Sequence, residues 1–214
     1  MQNEASEMKP NRKRGRPAQS EKELTTRRAE IASIALRLFK EEGYASVSMR
    51  RLSKEVALTP MALYRYFPSK LDILSTLWAH ILGEAFKRVE AESNFGLNAE
   101  DRLQRASTAY VTYWFDNVEH YLLVFMNSGV TNSDVTSFVS QNSAISSYEI
   151  FFEAVAEALK RNRDDARVKS TTDGLVCHLH GIMHSLITMP GYAWTAREKL
   201  VRQAVRSAIR DHEQ

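Results

Sequence analysis

Residues 48–74, SMRRLSKEVALTPMALYRYFPSKLDIL, decide the fold. Leu52, Val56, Leu58, Leu63 and Phe67 recur at helical spacing, but the phase breaks around 57–60. Two short helices joined by a tight turn satisfy that pattern, and one long helix does not. Ser48 offers an N-cap to the first. Thr59 before Pro60 sets a capping hydroxyl ahead of the one helical position where proline costs nothing. The second helix, 60–67, then buries Leu63 and exposes Met61, Ala62, Tyr64, Arg65 and Tyr66. A merely solvated helix would carry Glu and Lys there. Small residues allow close approach to a DNA major groove, methyls meet thymine, Arg reaches guanine and Tyr hydroxyls meet phosphate. The stretch reads as a DNA-binding helix-turn-helix.

Charge is distributed to match. Residues 1–70 hold fifteen Lys/Arg against eight Asp/Glu, while residues 71–214 hold fourteen against eighteen. A basic first third on an acidic remainder suits a protein that docks on nucleic acid by one end. At 214 residues and 43% hydrophobic, the chain can bury a substantial core. Cys177 is the only cysteine, so no intrachain disulfide forms and a reduced, cytoplasmic setting is expected. The first seventeen residues lack the apolar core of a secretory signal, and no run of about eighteen apolar residues suggests a membrane span.

Upstream, AEIASIALRLFKEEG (29–43) and Tyr44 form an amphipathic helix that stops at glycine. Ile31, Ala35, Leu38, Phe39 and Gly43-Tyr44, followed by Leu63-Tyr64-Arg65-Tyr66-Phe67, Ser69-Lys70 and Leu74, together resemble the N-terminal domain of TetR-family transcriptional repressors. The resemblance covers about the first third of the chain. It departs at Ala57, where the family usually has glycine in the turn. If the left-handed geometry is kept, alanine costs roughly 1 kcal/mol there.

The rest reads as helix throughout, giving an all-α chain. Residues 1–24, polar and proline-bearing, are expected to be a disordered basic tail. Residues 25–70 form a three-helix helix-turn-helix domain and 71–214 a helical ligand-binding and dimerisation domain. Helices are expected over 26–42, 70–91, 98–117, 119–127, 143–161, 169–189 and 195–211, with a soft Ser/Thr/Asn stretch at 128–143. Helix 169–189 has almost no polar face and carries a small-residue stripe of Gly174, Gly181 and Ser185. Burial against a second copy of the chain suits it. The family resemblance implies the same, since its last two long helices form a four-helix dimer interface.

No phosphate-binding glycine loop, nucleophile elbow or HExxH motif occurs, so no enzyme is expected. Cys177, His180 and His184 share one helix face but lack a fourth ligand, and read as core or interface residues, not a metal site. Asp164-Asp165 beside Arg163 and Arg167 reads as a solvated charge cluster. No cofactor is called for. The aromatic load of the C-terminal region suggests a ring-lined cavity, and the resemblance implies that such a cavity takes a small apolar or aromatic inducer. Candidate lining residues are Trp78, Tyr110, Trp114, Phe152, His180 and Met183, with His180 as the polar anchor. The alternative is a helix-turn-helix regulator without an inducer, constitutive or controlled by a protein partner.

For double-stranded DNA, Arg65 and Arg50 are candidates for base edges, with Pro60, Met61 and Ala62 as apolar neighbours. Ser48, Thr59, Tyr64, Tyr66 and Lys70 are candidates for phosphates, Lys70 with help from a helix N-terminus. A homodimer through 169–189 and 195–211 dictates a palindromic operator. Finally, within the tail stretch Arg12-Lys13-Arg14-Gly15-Arg16-Pro17, Arg14-Gly15-Arg16-Pro17 resembles the core of an AT-hook, which implies Arg14 and Arg16 in a minor groove; the alternative is a disordered tail that only brushes phosphates.

Overall fold

The computed structural model describes residues 20–95, 98–141 and 148–210. Within them lie ten helices: α1 Glu21–Glu42, α2 Met49–Glu55, α3 Pro60–Tyr66, α4 Lys70–Ser93 and α5 Ala99–Asp116, then α6 Val118–Phe125, α7 Asn132–Gln141, α8 Glu149–Leu159, α9 Ala166–Thr188 and α10 Arg197–Arg210. No strand occurs among the described residues. Helices α1 to α3 form a small head on the N-terminal end of α4, which runs on into a body of α4 to α10. In the body α5 is central, packed against α4, α6, α8, α9 and α10, while α1 rests on α2, α4 and α6.

Three elements differ from expectation. Helix α1 starts at Glu21, so the tail expected over 1–24 gives way to helix before its end. The cause is a capping box: Ser20 Oγ accepts from Glu23 N–H at 3.3 Å, and Glu23 returns the bond to Ser20 N–H at 2.8 Å. The soft stretch at 128–143 contains α7, again opened by a reciprocal pair. Thr131 Oγ1 accepts from Asp134 N–H, and the Asp134 carboxylate accepts from Thr131 N–H and Oγ1–H. Phe138 then anchors α7 edge-on against Trp78, with ring centroids 5.2 Å apart. Asp165, expected only as part of a solvated cluster, N-caps α9 through Arg167 N–H at 2.8 Å.

Helix α9 buries Leu175, Leu179 and Met183 in the protomer, but Gly174, Cys177, His178, Gly181 and His184 lie exposed along its other side. A Cβ added at Gly174 or Gly181 would meet nothing within 4 Å.

Candidate nucleic-acid interface

Seven-residue helices such as α2 and α3 are too short to persist alone, so each needs help at its ends and beneath it. The ends are capped. Ser48 Oγ accepts from Arg51 N–H at 3.1 Å, and Thr59 Oγ1 accepts from Ala62 N–H at 3.2 Å, with Pro60 in the first turn. Between the helices Ala57 takes φ 53°, the left-handed geometry expected of a glycine. Leu58 N–H reaches back to Ser53 O at 2.8 Å and Ala57 N–H to Lys54 O at 3.2 Å, the paired bonds of a Schellman C-cap. Beneath, Leu52, Leu63 and Phe67 are wholly buried with Ile31, Ala35 and Leu38 of α1. Burying a side chain of that size contributes about 1.5–3 kcal/mol, which fixes α3 on α2.

Two arginines of α1 complete the seating. Arg27 Nη2 donates to Val56 O at 2.9 Å, at the end of α2. Arg28 Nη1 donates to Tyr66 O at 2.8 Å, at the end of α3, and its guanidinium lies 4.5 Å from the Phe67 ring centroid. These contacts satisfy carbonyls that the short helices leave orphaned.

The outward surface separates spent charge from available charge. Arg51 pairs with Glu42 and Glu55, and Arg37 with Glu41 and Glu55, a network that holds the Glu55 carboxyl below its ordinary range. Arg50 and Arg65 are exposed and make no ion pair among the described residues. Around Arg65, Met61 is 76% and Tyr64 47% exposed. Ala62 and Tyr66 are half-buried at the flank of α3, and Thr59 and Pro60 are exposed at its start. Ser48 and Thr59 use their oxygens as cap acceptors, which leaves each hydroxyl hydrogen free to donate to a phosphate.

Lys70, expected at a phosphate, is partly occupied. Its Nζ donates to Tyr44 O at 2.7 Å and sits 4.1 Å from the Tyr44 ring centroid, and burial lowers its pKa. An ammonium carries three donors, so a phosphate at the start of α4 can still be met. Arg14 and Arg16 lie outside the described residues.

The six ring-lined-cavity candidates do not share one space. Tyr110, Trp114 and Met183 are fully buried in the body. Tyr110 Oη lies 2.7 Å from Tyr148 Oη and 3.0 Å from His180 Nε2, a polar trio inside a shell of rings. Phe86, Phe151 and Trp114 meet Tyr110 at centroid distances of 5.5 to 6.0 Å, and Phe125 meets His180 edge-on at 4.9 Å. Burial pushes the His180 imidazole down to about 4 and the Tyr110 phenol well up. Trp78 is elsewhere, donating to Leu123 O at 2.9 Å, and Phe152 lies under the Arg163 guanidinium at 4.3 Å. A groove of about 750 Å³ opens between α4 and α8, lined in part by His80, Glu84, Phe86, Lys87, Ile150 and Glu153, and by none of the six.

Residues 31–77 match the family described as bacterial regulatory proteins, tetR family. The uncharacterized HTH-type transcriptional regulator YuxN of Bacillus subtilis is 32% identical over 94 residues, 42% of this chain and 30% of that protein. The nucleoid occlusion factor SlmA of Haemophilus influenzae is 33% identical over 76 residues, 35% of each chain. The HTH-type transcriptional repressor KstR of Mycolicibacterium smegmatis is 34% identical over 68 residues, 32% of this chain and 31% of that one. The chain thus spans about a third of the length of the curated relatives it matches. Across most of the fold, it is similar to the TetR family regulator PfmR from Thermus thermophilus, with a TM-score of 0.59 at 18% identity over 86% of this chain and 99% of that one. The fatty acid degradation regulator FadR from Bacillus halodurans gives 0.67 at 12% identity, over 88% of this chain and 97% of that one.

Proposed function

We propose, from the premise that residues 31–77 make this chain a member of the TetR family of bacterial regulatory proteins, that it is a cytoplasmic transcriptional repressor binding a palindromic operator as a homodimer. One observation carries the DNA-binding reading. On a head where Arg37 and Arg51 are tied up in carboxylates, Arg65 stands exposed on α3, as do Met61 and Tyr64. That surface fits a major groove, with Arg65 and Arg50 at base edges and Ser48, Thr59, Tyr64, Tyr66 and Lys70 at phosphates. Footprinting the purified protein on the intergenic DNA beside its own gene tests this reading. A protected inverted repeat supports it, and protection without symmetry removes the homodimer.

Dimerisation is supported by the exposed small-residue side of α9, next to α10. A Cβ added at Gly181 meets nothing within 4 Å in the protomer, so Gly181→Leu projects from the exposed side of α9 and is expected to clash across an interface. Added methylenes in a packed interface cost about 1–3 kcal/mol, so sedimentation should show this variant shifted toward monomer. An unchanged dimer places the interface elsewhere.

The repressor is proposed to respond to a small apolar or aromatic inducer in the body. The trio of Tyr110, Tyr148 and His180 supports this, as hydrogen-bonding groups surrounded by rings are suited to orienting such a molecule. A second reading, constitutive or partner-controlled binding, is favoured by how tightly those rings meet. Thermal-shift screening of small molecules, followed by operator release, separates the two.

A further inference from the structure

We propose that the groove between α4 and α8 binds a lipophilic organic cation, a molecule of several rings that carries one delocalised positive charge. The inference deepens the inducer reading above by giving the inducer a chemical class and a place of entry, and it rests on that reading for any effect on DNA.

The groove follows from how the helices are seated. Helices α4 and α8 both pack against α5. Phe86 of α4 reaches across the gap between them, meeting Tyr148 edge-on at 4.7 Å and Phe151 at 6.5 Å. Alongside Phe86, α4 lines the gap with Ala79 and Gly83, which are too small to fill it. A Cβ added at Gly83 would meet nothing within 4 Å. The space that remains is about 750 Å³, inside the range of about 300–1,000 Å³ usual for small-molecule sites.

Two chemistries share that space. Phe86, only 5% exposed, and the half-buried Ile150 supply apolar surface. Glu84, Glu90 and Glu153 line the same groove with a single ammonium, that of Lys87. Glu90, Glu153 and Lys87 make no ion pair among the described residues, and Glu84 has only His80, at 3.6 Å. Carboxylates outnumber the ammonium, so the groove repels an anion and attracts a cation. A compact ammonium would have to shed tightly held water to touch Phe86 and Ile150, whereas a charge spread over rings sheds little. The occupant that satisfies both chemistries is therefore apolar and cationic at once. Phe86 also links the groove to the centre of the body. Its ring lies 5.6 Å from that of Tyr110 and 4.7 Å from that of Tyr148, so a molecule pressing on it bears on the trio completed by His180.

The test uses tetraphenylphosphonium and tetraphenylborate, which share size and shape and differ in the sign of their charge. Each is titrated calorimetrically into the full chain without DNA. The phosphonium should bind, and the borate should bind at least about tenfold more weakly. Glu90→Gln/Glu153→Gln should weaken phosphonium binding by about fivefold, the scale of two exposed ion pairs, and reduce the preference between the ions. Gly83→Leu should abolish binding by filling the groove, with no fall in Tm, since leucine is a better helix former than glycine. Equal binding of the two ions, no binding of the phosphonium, or full phosphonium binding by Gly83→Leu would each overturn the proposal. Operator release is measured separately. Phosphonium binding without release upholds the site and defeats the inducer reading, whereas release by uncharged compounds with no phosphonium binding defeats the site alone.

Discussion

The head and the body of this protein lean on different contacts. In the head, side chains address the backbone. Ser20, Ser48, Thr59 and Ser69 each cap a helix, and Arg27, Arg28 and Lys70 each donate to a carbonyl. In the body, Asn98, Thr131 and Asp165 cap α5, α7 and α9 in the same way. Helices α6 and α8 start without any side-chain cap, however, and the centre is a lattice of rings around Tyr110 and Trp114. Hydrogen bonds to backbone are directional and set α3 in one pose, as groove recognition requires. Ring packing instead holds the body through buried apolar area and edge-to-face contacts at its centre.

The sharpest way to break this contrast is to remove a ring. Trp114→Ala should cost about 3–5 kcal/mol, because its cavity lies where neighbours are already in contact with each other. Urea unfolding measures it. A loss under about 1 kcal/mol would mean that the ring lattice does not hold the body together.

Acid should probe the same centre. His180 is held near pKa 4 by burial, against 6.5 when exposed, so the unfolded chain binds its proton first as pH falls. Its contribution is complete above about pH 6.5 and is lost progressively down to about pH 4, amounting to about 3 kcal/mol. His180→Gln, which keeps a polar partner for Tyr110, should flatten that part of the pH profile of Tm. Identical profiles for the two proteins would place His180 in solvent.

Arg65→Ala tests the head by the opposite criterion. Arg65 is exposed and makes no ion pair among the described residues, so Tm should barely move, while operator affinity falls by about 1–3 kcal/mol and binding to random DNA is nearly unchanged. Equal losses on both DNAs would make Arg65 a phosphate contact.

Legibility from sequence divides along the same line. Ser48, Thr59-Pro60 and the strained Ala57 were readable because each acts on residues within one turn of itself. The Ser20–Glu23 and Thr131–Asp134 pairs were equally local, but a polar, proline-bearing tail and a Ser/Thr/Asn stretch concealed them. Arg27 and Arg28 were not readable, since their carbonyl partners lie 29 and 38 residues away. Ring count suggested a ring-lined cavity and its candidates, but not which rings meet. Trp78 turned to α6 and Phe152 to Arg163, because which ring meets which depends on helix packing that no local pattern encodes.

The smallest effect expected is also the one that isolates backbone from contact. Ala57 holds φ 53° at the C-terminal cap of α2 and is exposed, so a glycine there removes one methyl and no packing. Left-handed geometry strains a residue with a Cβ, whereas glycine adopts it freely. Glycine also gives the unfolded chain more freedom to lose, which offsets part of the relief. Ala57→Gly should therefore stabilise by up to about 1 kcal/mol, read as a rise in Tm with operator affinity unchanged. A fall in Tm would show that the turn is held by the rigidity of alanine more than it is strained by its methyl group.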